Sequence, residues 1–223
     1  MSRSSKTSLV ADDDEFFRIA LRTILLNKLG FSNVIETASL DEAVERLSEA
    51  GDVSLAIFDL AMPGMESAAS LRAVRECFPT TQVAVVSASK RRADILLALE
   101  AGAHGYVPKG LGVAELSRAL QTIADGTIFV PPSLAELGAF EDEPNMPLTS
   151  AYSSQPRSDK SLTTRQRQVL DLLVEGKSNK EIARSLKLGE GTVKVHVAAL
   201  FRTLGVTSRA AAAAAGLRLI QAE

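Results

Sequence analysis

Carboxylates gather at two points of this chain. Asp12, Asp13 and Asp14 follow the apolar run Leu9-Val10-Ala11, and Asp59 follows Leu55-Ala56-Ile57-Phe58. Short apolar runs bounded by turn residues fit buried parallel strands. In open α/β sheets, ligand sites form beyond the carboxyl ends of such strands. Two carboxylates about 4 Å apart repel by roughly 4 kcal/mol at an effective dielectric near 20. A cluster of this kind therefore calls for a cation or a raised pKa. An all-oxygen donor set favours Mg2+, which retains waters and recruits phosphate oxygens. The chemistry expected is phosphate handling at a Mg2+ site.

The elements that must position these groups follow from periodicity. Apolar runs at Ser8–Ala11, Asn33–Glu36, Leu55–Phe58, Val83–Val86 and Gly105–Val107 alternate with amphipathic stretches such as Phe16–Leu29, Leu40–Leu47 and Val113–Ile123. This alternation predicts an α/β doubly wound five-stranded parallel sheet over residues 1–130. Residues 131–160 lose the pattern. Pro131, Pro132, Pro144, Pro147 and Pro156 stand there among Ser, Glu and Asp, which reads as a linker with a short helical turn at Ser133–Phe140. Residues 161–223 read as a small all-α domain. Thr163 with Gln166 and Ser178 with Glu181 form two capping boxes. The second opens a helix at Asn179–Leu186, then Lys187-Leu188-Gly189 makes a tight turn, and helices follow at Thr192–Leu204 and Ser208–Ile220. A short helix, a glycine-containing turn and a longer basic helix match the helix-turn-helix pattern. The alanine run Ala210–Ala215 reads as a strong helix former that permits close packing.

Composition bounds the partners. The chain has 223 residues, of which 46% are hydrophobic and 23% charged, as in a globular domain or two. No apolar run reaches the roughly 18 residues of a membrane span, and the polar start Met1–Lys6 is unlike a signal peptide. The one cysteine, Cys77, excludes an intramolecular disulfide and is expected to be a buried thiol. A cytoplasmic location is expected. The net charge of −2 conceals an asymmetry: residues 1–130 carry 13 basic and 17 acidic side chains, residues 157–223 carry 12 and 6. The basic tail suggests nucleic acid as its partner.

The motifs "ADDD" at 11–14, "DLAMPGM" at 59–65, "VVSAS" at 85–89 and "GYVPKG" at 105–110 together resemble a two-component receiver of flavodoxin-like fold. "LTTRQRQVLDLLVEGKSNKEIA" at 162–183 and "GTVKVHV" at 191–197 resemble a LuxR-type helix-turn-helix. The chain as a whole is similar to NarL/FixJ-family response regulators. That resemblance implies a phosphoryl acceptor at Asp59, a direct Mg2+ ligand at Asp13, a ligand acting largely through water at Asp12, and the backbone carbonyl of Ala61 as a further oxygen. It implies that Lys109 and Ser87 meet the phosphoryl oxygens. It also implies a switch in which Ser87 moves toward the phosphate and Tyr106 rotates inward. Asp14 stands where the family often has His. Glu66-Ser67-Ala68-Ala69 lacks the acidic-Gly pair common in that loop, which bears on the rate and lifetime of phosphorylation.

In the tail, if Val193, Val197, Leu200 and Leu204 face the domain core, Val195, Ala198, Ala199 and Arg202 point outward, with Lys194 and Thr192 at the margins. The resemblance places Lys194, Val195 and Ala198 near bases. Lys can reach guanine O6/N7, and Val or Ala can meet a thymine methyl. Thr192, Lys180, Lys187 and Arg202 are candidates for phosphate contacts. Gly189 takes the usual Ser N-cap position, at a cost of a few tenths of a kcal/mol. Gly176-Lys177-Ser178 is not a P-loop, because Asp171 stands where its first Gly is required. His104 and His196 are too isolated for a metal site and read as surface or packing residues. Asp59 lacks an Asp two positions on, which argues against a dehalogenase-type phosphatase.

The expected function is a regulator, not an enzyme with a separate substrate. A sensor histidine kinase phosphorylates Asp59, and the tail binds promoter DNA as a homodimer paired largely through Ser208–Ile220. The alternative keeps DNA binding but makes the receiver a phosphorylation-independent dimerisation or interaction scaffold.

Overall fold

The computed structural model describes residues 6–65, 68–136 and 162–220. Five strands, β1 (Thr7–Ala11), β2 (Asn33–Thr37), β3 (Leu55–Phe58), β4 (Gln82–Ser87) and β5 (Gly105–Pro108), form one parallel sheet in the order β2-β1-β3-β4-β5. The five expected runs coincide with the five strands to within a residue at each end. β3 and β4 are buried along almost their whole length, as a sheet covered on both faces requires.

Helices cover both faces. α1 (Glu15–Asn27) and α5 (Val113–Ala124) pack Leu21, Ile24, Leu25, Leu116, Leu120 and Ile123 against Val10, Ile57 and Val86. On the opposite face lie α2 (Leu40–Ala50), α3 (Ala68–Cys77) and α4 (Arg92–Glu100), with Leu40, Val44, Leu71, Val74 and Ile95 over Leu9, Phe58 and Val85. The strand order reverses between β1 and β3, so a crevice opens beyond their carboxyl ends. After α5 the chain returns along the free edge of β5. Phe129 pairs with Gly105, its amide donates to the His104 carbonyl, and its carbonyl accepts from the Tyr106 amide.

A short helix, α6 (Ser133–Glu136), follows. The rest of the helical turn expected to Phe140, and nearly all of the expected linker, lie outside the described residues. The second unit is helical: α7 (Thr164–Val174), α8 (Asn179–Leu186), α9 (Glu190–Leu204) and α10 (Arg209–Ile220). Both capping boxes are present, with Thr163 accepting from the Gln166 amide and Ser178 from the Glu181 amide. Lys187 ends α8 in the left-handed region at φ 55°, which turns the chain into α9. Val169, Leu170, Leu173, Ile182, Val193, Leu200 and Ala212 form this unit's core. Ala212 and Gly216 let α10 lie close on α7; a Cβ at Gly216 would stand 2.7 Å from Val174 Cγ2 and 2.8 Å from Leu170 Cδ1.

Cys77 departs from expectation. It is exposed, because the stripe of α3 that meets the sheet runs through Leu71 and Val74 and leaves position 77 at its margin.

Candidate functional site

The crevice between β1 and β3 holds the predicted cluster. Asp12 and Asp59 are buried at the strand ends, Asp13 is exposed at the rim, and one carboxylate oxygen from each lies within 4.8 Å of the others. The Asp59 amide donates to the Ala11 carbonyl at 2.9 Å, which fixes the two strand ends together. Asp14 is structural. Its side chain caps α1 by accepting from the amides of Phe16 and Phe17 at 3.0 and 3.2 Å. The Asp14 amide in turn donates to Asp12 Oδ1 at 3.0 Å, and Arg18 Nη1 donates to the Asp12 carbonyl at 2.7 Å.

Lys109 reaches in from the end of β5. Its Nζ is 2.7 Å from Asp12 Oδ2 and 3.0 Å from Asp59 Oδ2. Burial alone would lower the Lys109 pKa; the hydrogen bonds and charges of Asp12 and Asp59 outweigh it and raise it. At Asp12 burial prevails. The carboxyl is raised above its ordinary value although Lys109 and the Asp14 amide pull the other way. Lys109 also lies 4.8 Å from the centroid of the Phe17 ring, a cation–π contact that motif reading missed. Its signal was present: Phe17 sits one turn into the helix that Asp14 caps.

The cluster fits a divalent cation. Asp59 Oδ1 is buried without a hydrogen-bond partner among the described residues, and an orphaned carboxylate oxygen beside two further acids suits a hard cation. Ala61, offered for its backbone carbonyl, lies two residues after Asp59 in the exposed part of the same loop. Of the atypical loop after it, Glu66 and Ser67 lie outside the described residues. Ser87 ends β4 beside β5, buried, its hydroxyl accepting from the Ser89 amide at 3.2 Å.

Tyr106 corrects the expected switch. The ring is fully buried, and its hydroxyl donates to the Ser89 carbonyl at 2.8 Å. It is already inward, in the core onto which Leu134 also packs. Burial raises the phenol's pKa.

The second site corrects the expected outward face. Val193 and Leu200 face the helical core as the wheel requires, with Val197 and Leu204 partly buried against it. Val195 and Ala199 are not exposed: they are buried in the cluster that includes Leu40, Val44, Leu71 and Val74 of the receiver-like unit, with Ala198 packed against it. The physical reason is that the outward face of α9 lies on α2 and α3. Thr192 is buried as well, Arg202 pairs with Glu76, and Lys194 stays exposed at the edge. Lys180 and Lys187 are exposed on or beside α8. Gly191 permits the approach, since a Cβ there would stand 2.3 Å from Ser48 Oγ.

One receiver carboxylate organises this contact. Asp41, in the first turn of α2, is 2.6 Å from Arg165 Nη2 and 2.6 Å from His196 Nε2. Arg165 Nε donates to the same Asp41 oxygen at 3.0 Å, and Thr192 Oγ1 donates to the Asp41 carbonyl at 3.3 Å. Burial pushes the Asp41 carboxyl up, but His196 and Arg165 outweigh it and hold it below the ordinary value. His196 is therefore a packing residue, as expected, with a specific ionic partner. His104 also packs: its Nδ1 accepts from the Val83 amide at 2.9 Å.

Comparison with known proteins agrees with this fold. The response regulator receiver domain model matches residues 9–121, and the model for bacterial regulatory proteins of the luxR family matches residues 160–215. The glycerol metabolism activator of Pseudomonas putida is 33% identical over 201 residues, 90% of each chain. The nitrate/nitrite response regulator protein NarL of Escherichia coli K12 is 32% identical over 207 residues, 93% of each chain. The RcsB response regulator of Salmonella typhimurium has a similar fold, with a TM-score of 0.55 at 22% identity over 99% of this chain and 100% of that one. The chain belongs to the NarL/FixJ family of response regulators, with an N-terminal receiver and a LuxR-type helix-turn-helix DNA-binding domain.

Proposed function

We propose that Asp59 accepts a phosphoryl group from a sensor histidine kinase and that this frees α9 to bind promoter DNA as a homodimer. In the transfer, an Asp59 carboxylate oxygen bonds to phosphorus as the P–N bond of phosphohistidine breaks and the imidazole leaves. Bound by Asp12, Asp13, Asp59 and the Ala61 carbonyl, Mg2+ supplies positive charge that offsets the carboxylate and phosphoryl oxygens. Lys109 already pairs with Asp59 and is placed to follow its charge onto the phosphoryl oxygens. Ser87 donates its hydroxyl to the same group. That motion withdraws the acceptor of the Ser89 amide, and Ser89 holds Tyr106, so the ring responds by repacking within the core.

The observation that carries this reading is the burial of Val195 and Ala199 on α9 against α2 and α3. A helix covered in this way cannot lie in a major groove, which supports a resting state closed to DNA. Once exposed, Lys194, Val195 and Ala198 read bases, while Thr192, Lys180, Lys187 and Arg202 meet phosphates. The exposed Leu217 and Leu219 of α10 give the dimer an apolar face, and a two-fold pair implies half-sites about one helical turn apart. Among the described residues no helix is long and apolar enough to cross a membrane.

The test is duplex binding with Mg2+ and beryllofluoride, a phosphoryl mimic. Wild type should bind more tightly than without it, and Asp59→Asn should not respond. An equal response from the two proteins rejects the switch and favours the scaffold alternative.

A further inference from the structure

The Asp41 carboxylate is held by a guanidinium and an imidazole, and its backbone carbonyl by a hydroxyl, all from the DNA-binding domain. Arg165 Nε and Nη2 grip one of its carboxylate oxygens at 3.0 and 2.6 Å, from the first turn of α7. His196 Nε2 meets the other at 2.6 Å from the middle of α9, and Thr192, one turn earlier, donates to the Asp41 carbonyl at 3.3 Å. The His196 side chain is 3% exposed. Two helices thus converge on a single point of negative charge, and a planar guanidinium fork is suited to carboxylate and phosphate alike.

We propose that Arg165, His196 and Thr192 form an anion site that binds a DNA backbone phosphate in the open protein, and that Asp41 occupies it as a phosphate mimic in the closed one. This rests on the reading of the chain as a DNA-binding switch. It adds Arg165 and His196 to the phosphate contacts and gives closure a competitive basis: receiver carboxylate and DNA phosphate exclude each other from one site. Asp41 is well placed to yield. Its neighbour Leu40 donates its amide to the Pro63 carbonyl at 2.9 Å, in the loop that follows Asp59. Thr192, set at the margin of the reading helix, thereby acquires two companions that position without reading sequence.

The experiment uses the full chain and a random-sequence 30-base-pair duplex, with affinity followed by fluorescence anisotropy across a salt series. Asp41→Asn removes the mimic, and should bind several-fold more tightly than wild type without phosphorylation. Arg165→Gln placed on Asp41→Asn should lose that gain, with a salt slope lower by about one, as for one lost phosphate contact. Arg165→Lys on the same background, which keeps the charge, should recover part of it. If Arg165 serves only as an interdomain latch, the double variant binds as tightly as Asp41→Asn with an unchanged slope, and the proposal fails. Thermal melts of each variant separate this from misfolding, and the Arg165→Lys comparison decides the matter if Arg165→Gln unfolds. Absence of duplex binding by every variant, with or without beryllofluoride, overturns the proposed function along with the anion site. Failure of the double-variant comparison alone overturns only the latter.

Discussion

Among the described residues, Lys109 is the cation that stands between two buried carboxylates. Replacing it by Met leaves Asp12 and Asp59 facing each other without that counter-charge. Charged hydrogen bonds of this kind contribute about 1.5–3 kcal/mol each, so Lys109→Met should lower stability in the absence of Mg2+ by about 2 kcal/mol. Added Mg2+ should raise the melting temperature of the variant more than that of wild type. An equal Mg2+ shift in both proteins would remove Lys109 from the site's charge balance. Asp41 carries a pH signature. Its carboxyl lies below the ordinary 3.8 in the closed structure, so its contribution is complete above that value and fades as pH falls through the depressed one. The stability difference between wild type and Asp41→Asn should diminish as pH falls below the ordinary carboxylate value of 3.8. A difference that grows on acidification through this range would contradict the assignment.

At the scale of elements, the edge of β5 is as constrained as its chemistry. Gly105 lies where α5 and the returning segment meet the strand. A Cβ there would stand 2.5 Å from Ile123 Cδ1 and 2.9 Å from the Phe129 carbonyl. Gly105→Ala should therefore cost about 1–3 kcal/mol by overpacking, read from urea unfolding. In the N-terminal turn of α9, Gly191 faces the interdomain contact. Gly191→Ala brings a methyl against Ser48 while favouring the helix itself, so it should loosen the interdomain contact without destabilising the helical domain. Faster proteolysis at the linker with an unchanged melt of that domain is the expected result. α4 has little amphipathic signature in the sequence. There Ile95 and Ala98 are buried while Leu96 and Leu97 are partly exposed, so apolar residues surround the helix and no single face stands out in the sequence.

At the scale of the whole molecule, closure couples two chemistries. The loop after Asp59 touches the start of α2 through Leu40, and Asp41 beside it holds α7 and α9 of the DNA-binding unit. Beryllofluoride with Mg2+ should enlarge the radius of gyration of wild type in small-angle scattering and leave Asp59→Asn unchanged. A wild type that stays compact while gaining DNA affinity would show that opening is not the step that releases α9.

Strands, caps and the position of the strand-end polar cluster were legible in the sequence because each is decided locally. Apolar runs fix β1 to β5, Thr163 and Ser178 announce α7 and α8, and Asp12, Asp59, Ser87 and Lys109 follow strand ends by position alone. The placement of Tyr106 and the burial of Val195 and Ala199 depend on segments distant in the chain. The core that includes Ile95 and Ala98 of α4 receives the Tyr106 ring, whose hydroxyl meets Ser89, and α2 and α3 bury the α9 residues by covering that helix. A helical wheel shows which face of α9 leaves its own core. It carries no information on what else is close enough to bury that face, since an apolar surface suits a thymine methyl and a neighbouring helix equally well.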